Sequence, residues 1–176
     1  AVAQGAFHES LNLASLWNLP CIYVIENNLW GMGTSVSRAI SVNKIAETKA
    51  PSFGMKGYTF DGVDFFNCAA GFDFVYKEVL ATKRPVLVEV IAERFRGHSV
   101  SDPGLYRSKD QLKEVMKRDP IELMRKELIE RKFLNEELFA SMNQECKQIC
   151  IDALKYAEES PWPDLSTLEE DVFAKS

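Results

Sequence analysis

Apolar residues recur at Phe7, Leu11, Ala14, Leu16 and Trp17, a helical spacing that predicts a helix from Gln4 to Trp17. Pro20 stops it, since proline lacks the amide proton a helix interior needs. The short apolar run Cys21 to Ile25 then reads as a buried strand ending in the polar triplet Glu26-Asn27-Asn28. Gly31 and Gly33 mark a loop expected to need unusual backbone angles. A short helix follows from Asn43 to Lys49, and a strand from Lys56 to Phe60 ends at Asp61-Gly62. Asp64 can cap a helix that presents Phe65, Phe66, Ala69, Phe72, Val75, Val79 and Leu80 on one face and runs to about Thr82. Pro85 to Ile91 is the clearest strand.

This alternation of helix and strand predicts an α/β fold: a parallel sheet with helices on both faces. A strand just before Ala1 would complete the pattern, so the chain reads as N-terminally truncated. Residues 94–108 interrupt it with a long polar loop, of the kind that in compact domains is usually functional or disordered. Beyond the loop the chain is helical to Ser160, with starts at Ser108, at Asp119-Pro120 and at Asn135. The expected organisation is an α/β portion over 1–108 and a helical C-terminal extension over 109–176.

Composition narrows the class only a little. The 176 residues are 46% hydrophobic and 27% charged, ordinary for a globular domain. The formal net charge of −5 speaks against nucleic acid as the main partner. No stretch approaches the roughly 20 apolar residues of a membrane span. Cys21, Cys68, Cys146 and Cys150 form no zinc-type or disulfide pattern, and read as four reduced thiols serving as small apolar residues in a reducing compartment.

In an open parallel sheet, ligands sit beyond the carboxyl ends of the strands. Glu26-Asn27-Asn28, Asp61-Gly62 and the loop 94–107 all fall there, and a helix starting near Gln4 would offer free N–H groups suited to a phosphate. Asn28 has two readings: a residue that closes a turn, or an amide oxygen ligating Mg²⁺, a hard ion that prefers oxygen. His98 also has two. It lies among Arg94, Arg96 and Arg107, a set that suits an anion and a histidine able to pass protons, or else a solvated basic loop. His8 reads as a surface or satisfied helix residue. Ser99 and Ser101 have no base and acid arranged for nucleophilic catalysis. The segment Gly31-Met32-Gly33 lacks the third glycine of a dinucleotide fingerprint.

Taken together, Ala1-Val2-Ala3-Gln4-Gly5, Phe7 to Asn12, Leu16 to Pro20, Ile25 to Asn28 and Gly31 to Thr34 resemble the thiamine-diphosphate motif in the alpha subunit of 2-oxo acid dehydrogenases. The motif closes with Asn-Asn; its opening Gly-Asp-Gly would fall immediately before Ala1. The stretch Arg94-Phe95-Arg96-Gly97-His98-Ser99-Val100-Ser101-Asp102-Pro103-Gly104-Leu105-Tyr106-Arg107 resembles the family's active-site loop, and Asp61-Gly62-Val63-Asp64 is a weaker third match. The resemblance implies thiamine diphosphate and Mg²⁺ as cofactors. Asn28 and the backbone carbonyl of Trp30, where Tyr is common, would ligate the metal. Ala1, Asn28, Arg94 and His98 would contact the cofactor, with His98 the catalytic residue at the site entrance and Arg94 also holding the loop. Ser99 matches the family's first phosphorylation position. Ala3 stands where Asn is usual.

The implied reaction is oxidative decarboxylation of a 2-oxo acid, with acyl transfer to a lipoyl-bearing acyltransferase in a multienzyme complex. The implied partner is a beta subunit in an alpha2-beta2 heterotetramer, without which this chain would be inactive. Gly97-His98-Ser99 and Asp102-Pro103 favour pyruvate as the substrate; the acetoin and branched-chain members are the alternatives, as is a structural fragment that binds no cofactor. The ending Ser160-Pro161-Trp162-Pro163 through Asp171-Val172-Phe173 resembles bacterial or plastid members and implies that the natural C-terminus is included. A bacterial source implies the cytoplasm, and a eukaryotic one the plastid stroma or mitochondrial matrix.

Overall fold

A computed structural model describes residues 1–172; Phe173, the last residue of the terminal resemblance, lies outside the described residues. The chain forms two compact units, residues 1–127 and Leu128 onward. The first unit runs past the polar loop to Glu127.

The first unit opens with α1 (Gly5–Leu16) and β1 (Ile22–Asn27). A hairpin of two short strands follows, β2 (Trp30–Gly31) and β3 (Thr34–Ser35), then α2 (Val36–Ala39) and α3 (Ile45–Lys49). A 3₁₀ turn at Ala50–Phe53 leads to β4 (Lys56–Asp61), α4 (Phe65–Thr82) and β5 (Val86–Ile91). After the polar loop come α5 (Lys109–Met116) and α6 (Pro120–Glu130). The expected helix caps form. Asp64 accepts from Asn67 N, Ser108 makes a reciprocal box with Gln111, and Asp119 accepts from Ile121 N. The hairpin and α2 are too short to carry a periodic signal, and the sequence pattern missed them.

The three main strands are all parallel, in the order β1-β5-β4. Alternation along β5 sends its side chains to opposite faces. Leu87 packs with Leu11 of α1, Ile25 of β1 and Ile45 and Ala46 of α3. Val86 and Val88 pack with Val75 and Val79 of α4 on the other face. The sheet therefore carries helices on both sides, as the α/β pattern predicted. In the second unit α7 (Glu136–Glu159) begins at Asn135, whose side chain accepts from Leu138 N at 2.7 Å. Cys146 and Cys150 are exposed on this helix, which corrects the expectation that they pack as small apolar residues; all four cysteines are free.

Leu87 is fully buried at the centre of the larger cluster. Leu87→Ala is expected to lower unfolding free energy by about 3 kcal/mol, from lost transfer energy plus a cavity. Denaturant titration followed by circular dichroism checks it.

Candidate functional site

Register decides which groups meet. Asn27 and Asp61 both pair with Ile91, so the three strands end in one row. Ala92 N donates to the Asn27 carbonyl at 3.1 Å, and Gly62 N donates to the Ile91 carbonyl at 2.8 Å. The three segments expected beyond the strand ends therefore leave the sheet on the same side. Helix α1 precedes a parallel strand and runs back along it, so by topology its N-terminus faces this end too. Its cap, Gln4, makes no side-chain cap bond, and the first turn holds no acidic residue. Ala1 is exposed one turn earlier, its carbonyl accepting from Gln4 N at 3.0 Å.

Between β1 and β2 the chain makes two nested turns. Leu29 N donates to Asn27 Oδ1 at 2.9 Å, and Trp30 N donates to Asn28 Oδ1 at 3.0 Å. Side-chain amides of this kind imitate a backbone turn and tolerate left-handed geometry nearby. The left-handed residues are Leu29 (φ 65) and Met32 (φ 54), which corrects the expectation that Gly31 and Gly33 supply the unusual angles. Gly33 has a different role. A Cβ there would come within 3.1 Å of the Tyr106 ring, so glycine makes room for the loop.

Donor chemistry at this turn suits a hard cation. An amide oxygen has two lone pairs, so Asn28 Oδ1 keeps one after accepting from Trp30. Val36 N donates to the Leu29 carbonyl at 2.9 Å. Antiparallel ladders alternate bonded and non-bonded pairs, so the neighbouring Trp30–Ser35 pair is non-bonded and the Trp30 carbonyl turns away from the hairpin. An amide oxygen and a backbone carbonyl two residues apart are the kind of oxygen donor a hard ion such as Mg²⁺ takes. Among the described residues no group of three or more His, Cys, Asp and Glu side chains gathers as a metal site.

The polar loop is docked onto this turn. Arg94 donates to the Met32 carbonyl at 2.6 Å and to the Tyr106 hydroxyl at 2.5 Å. Tyr106 in turn donates to Asp102 Oδ2 at 2.8 Å, and its ring lies 4.9 Å from that of Trp30. Arg107 donates to the carbonyls of Arg94 and Arg96. Asp102 also accepts from the backbone of His98 and Gly104. The His98 N–H first, then Gly104 N–H and the Tyr106 hydroxyl, hold the Asp102 carboxyl below the usual aspartate range. Gly97 is required here as well, because a Cβ would collide with the Asp102 carbonyl.

His98 and Ser99 are exposed on this loop, with Ser99 Oγ 3.2 Å from Ser101 Oγ. His8 is a satisfied helix residue, its ring contacting the Gln4 carbonyl and Lys49. Asp61, from the weaker match, is paired with Arg118 at 2.5 Å. A cleft of about 710 Å³ opens beside the turn, lined by Asn27, Leu29, Trp30, Ile91, Glu93 and Arg107 among others. Sequence reasoning used Asp102 only as a mark of substrate type and assigned no structural role to it, to Tyr106, to the Met32 carbonyl or to the buried pair Asn27 and Glu89. A glutamate inside the apolar run of β5 was the signal available for the last.

A parallel α/β sheet with an amide turn and a docked basic loop at its carboxyl end places polar groups where open α/β sheets bind their ligands. The chain belongs to the dehydrogenase E1 component family, which it matches over residues 1–166. It is 39% identical over 98% of its length to "Pyruvate dehydrogenase E1 component subunit alpha" of Rickettsia felis, covering 53% of that protein. The figures for the Rhizobium meliloti protein of the same name are 39%, 98% and 49%. For the chloroplastic subunit alpha-3 of Arabidopsis thaliana they are 40%, 97% and 40%. The chain thus spans about half the length of the curated relatives it matches, or less. No helix among the described residues is long and apolar enough to cross a membrane.

The loop network makes a pH prediction. A depressed carboxyl stabilises docking above its unfolded value, near 3.9, and that contribution is lost as pH falls through the lower folded value. Loop protection against an acid-tolerant protease should therefore be flat at neutral pH and fall below about pH 4. At neutral pH, Asp102→Asn should raise tryptic cleavage at Arg94, Arg96 or Arg107 about fivefold, the scale of one lost hydrogen bond.

Proposed function

We propose that this chain is the Mg²⁺- and thiamine-diphosphate-binding part of the alpha subunit of a pyruvate dehydrogenase. The whole protein would oxidatively decarboxylate pyruvate and pass the acyl group to a lipoyl group on an acyltransferase. One observation carries the reading: the Asn28–Trp30 turn and the Arg94–Arg107 loop meet at the carboxyl end of the parallel sheet, joined through Met32 and Tyr106. The relatives' names supply the substrate.

In this reading Asn28 Oδ1 and the Trp30 carbonyl hold the Mg²⁺. The uncapped start of α1, just after Ala1, receives the diphosphate, whose charge suits free N–H groups and the helix dipole. Thiamine diphosphate, when bound, supplies the electron sink for decarboxylation. The protein's part is to bind, orient and cover. Arg94 latches the loop to the turn, and His98, exposed on that loop, reaches the cofactor at the entrance and moves protons there. Ser99 is exposed beside it and open to phosphorylation. A beta subunit in an alpha2-beta2 assembly would complete the site, so this chain alone is inactive. The compartment follows the source: cytoplasm for a bacterium, plastid stroma or mitochondrial matrix for a eukaryote.

Calorimetric titration of thiamine diphosphate into the full-length parent, assembled with its beta partner, should show binding only with Mg²⁺. Asn28→Ala should weaken that binding by at least about tenfold. Tight binding without Mg²⁺, or unchanged affinity in the variant, sinks the metal assignment. Ser99→Glu adds a negative charge to an anionic site and should lower turnover by one or more orders of magnitude; full activity would place the loop away from the chemistry.

A further inference from the structure

Glu89 is a charged residue in the middle of the central strand, following Val86, Leu87 and Val88, and only 1% of its surface is exposed. A carboxyl group so buried is tolerated only with donors around it. It has two. Asn27 Nδ2 donates to Oε1 at 2.7 Å, and the Ala46 backbone N–H donates to Oε2 at 3.2 Å. Asn27 is itself 8% exposed and uses its other end at the same time: Oδ1 accepts from Leu29 N.

An asparagine amide can bind in two orientations that differ by a half turn. Here the glutamate selects one. A carboxylate only accepts, so it takes the Nδ2 end and leaves Oδ1 facing Leu29. That bond holds Leu29 in its left-handed conformation, which an ordinary side chain adopts at a cost. Leu29 is the one residue between Asn28 and Trp30, the two oxygen donors of the turn. The chain of contacts therefore runs from the sheet core to the donors: Glu89, the Asn27 amide, the Leu29 backbone, then Asn28 Oδ1 and the Trp30 carbonyl.

We propose that Glu89 is a positioning residue for the metal site: acting through the Asn27 amide, it fixes the spacing of the Asn28 and Trp30 oxygens and so sets the affinity for Mg²⁺. The inference rests on the reading of Asn28 and Trp30 as metal donors. Groups behind the ligands commonly change metal affinity by about 10–100-fold when altered. Glu89→Gln keeps size but replaces one acceptor oxygen with a donor, so the 27 amide loses its fixed orientation.

The test is a double-mutant cycle in the full-length parent with its beta partner, reading the Mg²⁺ concentration that half-saturates thiamine diphosphate binding. Glu89→Gln should raise it about tenfold, and excess Mg²⁺ should restore cofactor affinity, a recovery that general damage to the core would not give. On an Asn28→Ala background the same change should add little, because the two act on one site. Should Glu89→Gln fail to fold, Asn27→Ser carries the test. It leaves the carboxyl buried with a hydroxyl beside it, breaks the bond to Leu29, and should give the same metal defect. An unchanged Mg²⁺ requirement in a folded variant, or a full tenfold effect on top of Asn28→Ala, overturns the positioning role alone. If Asn28→Ala itself leaves the Mg²⁺ requirement untouched, the metal reading fails and this proposal falls with it.

Discussion

Strand β5 pairs in parallel register with β1 on one side and β4 on the other, and every group at the candidate site depends on that arrangement. Side chains alternate along a strand, so a slip of one residue would turn Leu87 and Glu89 to the face of α4 and drive Val88 against α1 and α3. Burial opposes the slip, since Leu87 and Val88 belong to different clusters on opposite faces. Because apolar packing fixes the register, Asn27, Ile91 and Asp61 must end level. The polar chemistry beyond them inherits its geometry from the core.

The loop after β5 is held by a different kind of force. It has few buried apolar residues and depends on a chain of polar contacts from Asp102 through Tyr106 to Arg94 and the Met32 carbonyl. The Tyr106 ring packs against Trp30 of the same turn and lies under the guanidinium groups of Arg94 and Arg107. Such segments open more easily than core strands, because each contact has water as a ready substitute. Val100 and Leu105 stand almost fully exposed on this loop, so apolar burial does not hold that part of it. A charge added at Ser99 would therefore act on a segment with little to resist it.

How much of this the sequence carried depends on the range of the interaction. The long helices, the three main strands and the caps at Asp64, Ser108, Asp119 and Asn135 are local patterns, and all were legible. So was the convergence of three polar segments, which follows from parallel strands alone. The hairpin at Trp30–Ser35 was not, because strands of two residues have no period to detect. The glycine reading failed for a related reason. Gly33 is explained by Tyr106, 73 positions away in the chain, and no local angle shows that contact. Glu89 and Asn27 are separated by 62 positions, and only the fold makes them neighbours. The family resemblance pointed to Asn28 and His98 directly but was silent about what lies behind them.

Asn28 invites a choice between closing a turn and binding a metal. The geometry shows the turn and leaves room for the metal. The amide oxygen accepts from Trp30 N, which is the turn, and that bond uses one of two lone pairs. Closing the turn also orients the Trp30 peptide, whose carbonyl is the second donor in the proposed site. In the proposed site an alanine here would lose both effects, one ligand directly and the other by releasing the Trp30 peptide. A residue that only ligated would leave the neighbouring carbonyl free to wander, and one that only turned the chain would present a single oxygen. On the proposed reading the same side chain does both, since the two requirements differ by one lone pair, and the Glu89–Asn27–Leu29 contacts stand directly behind the turn.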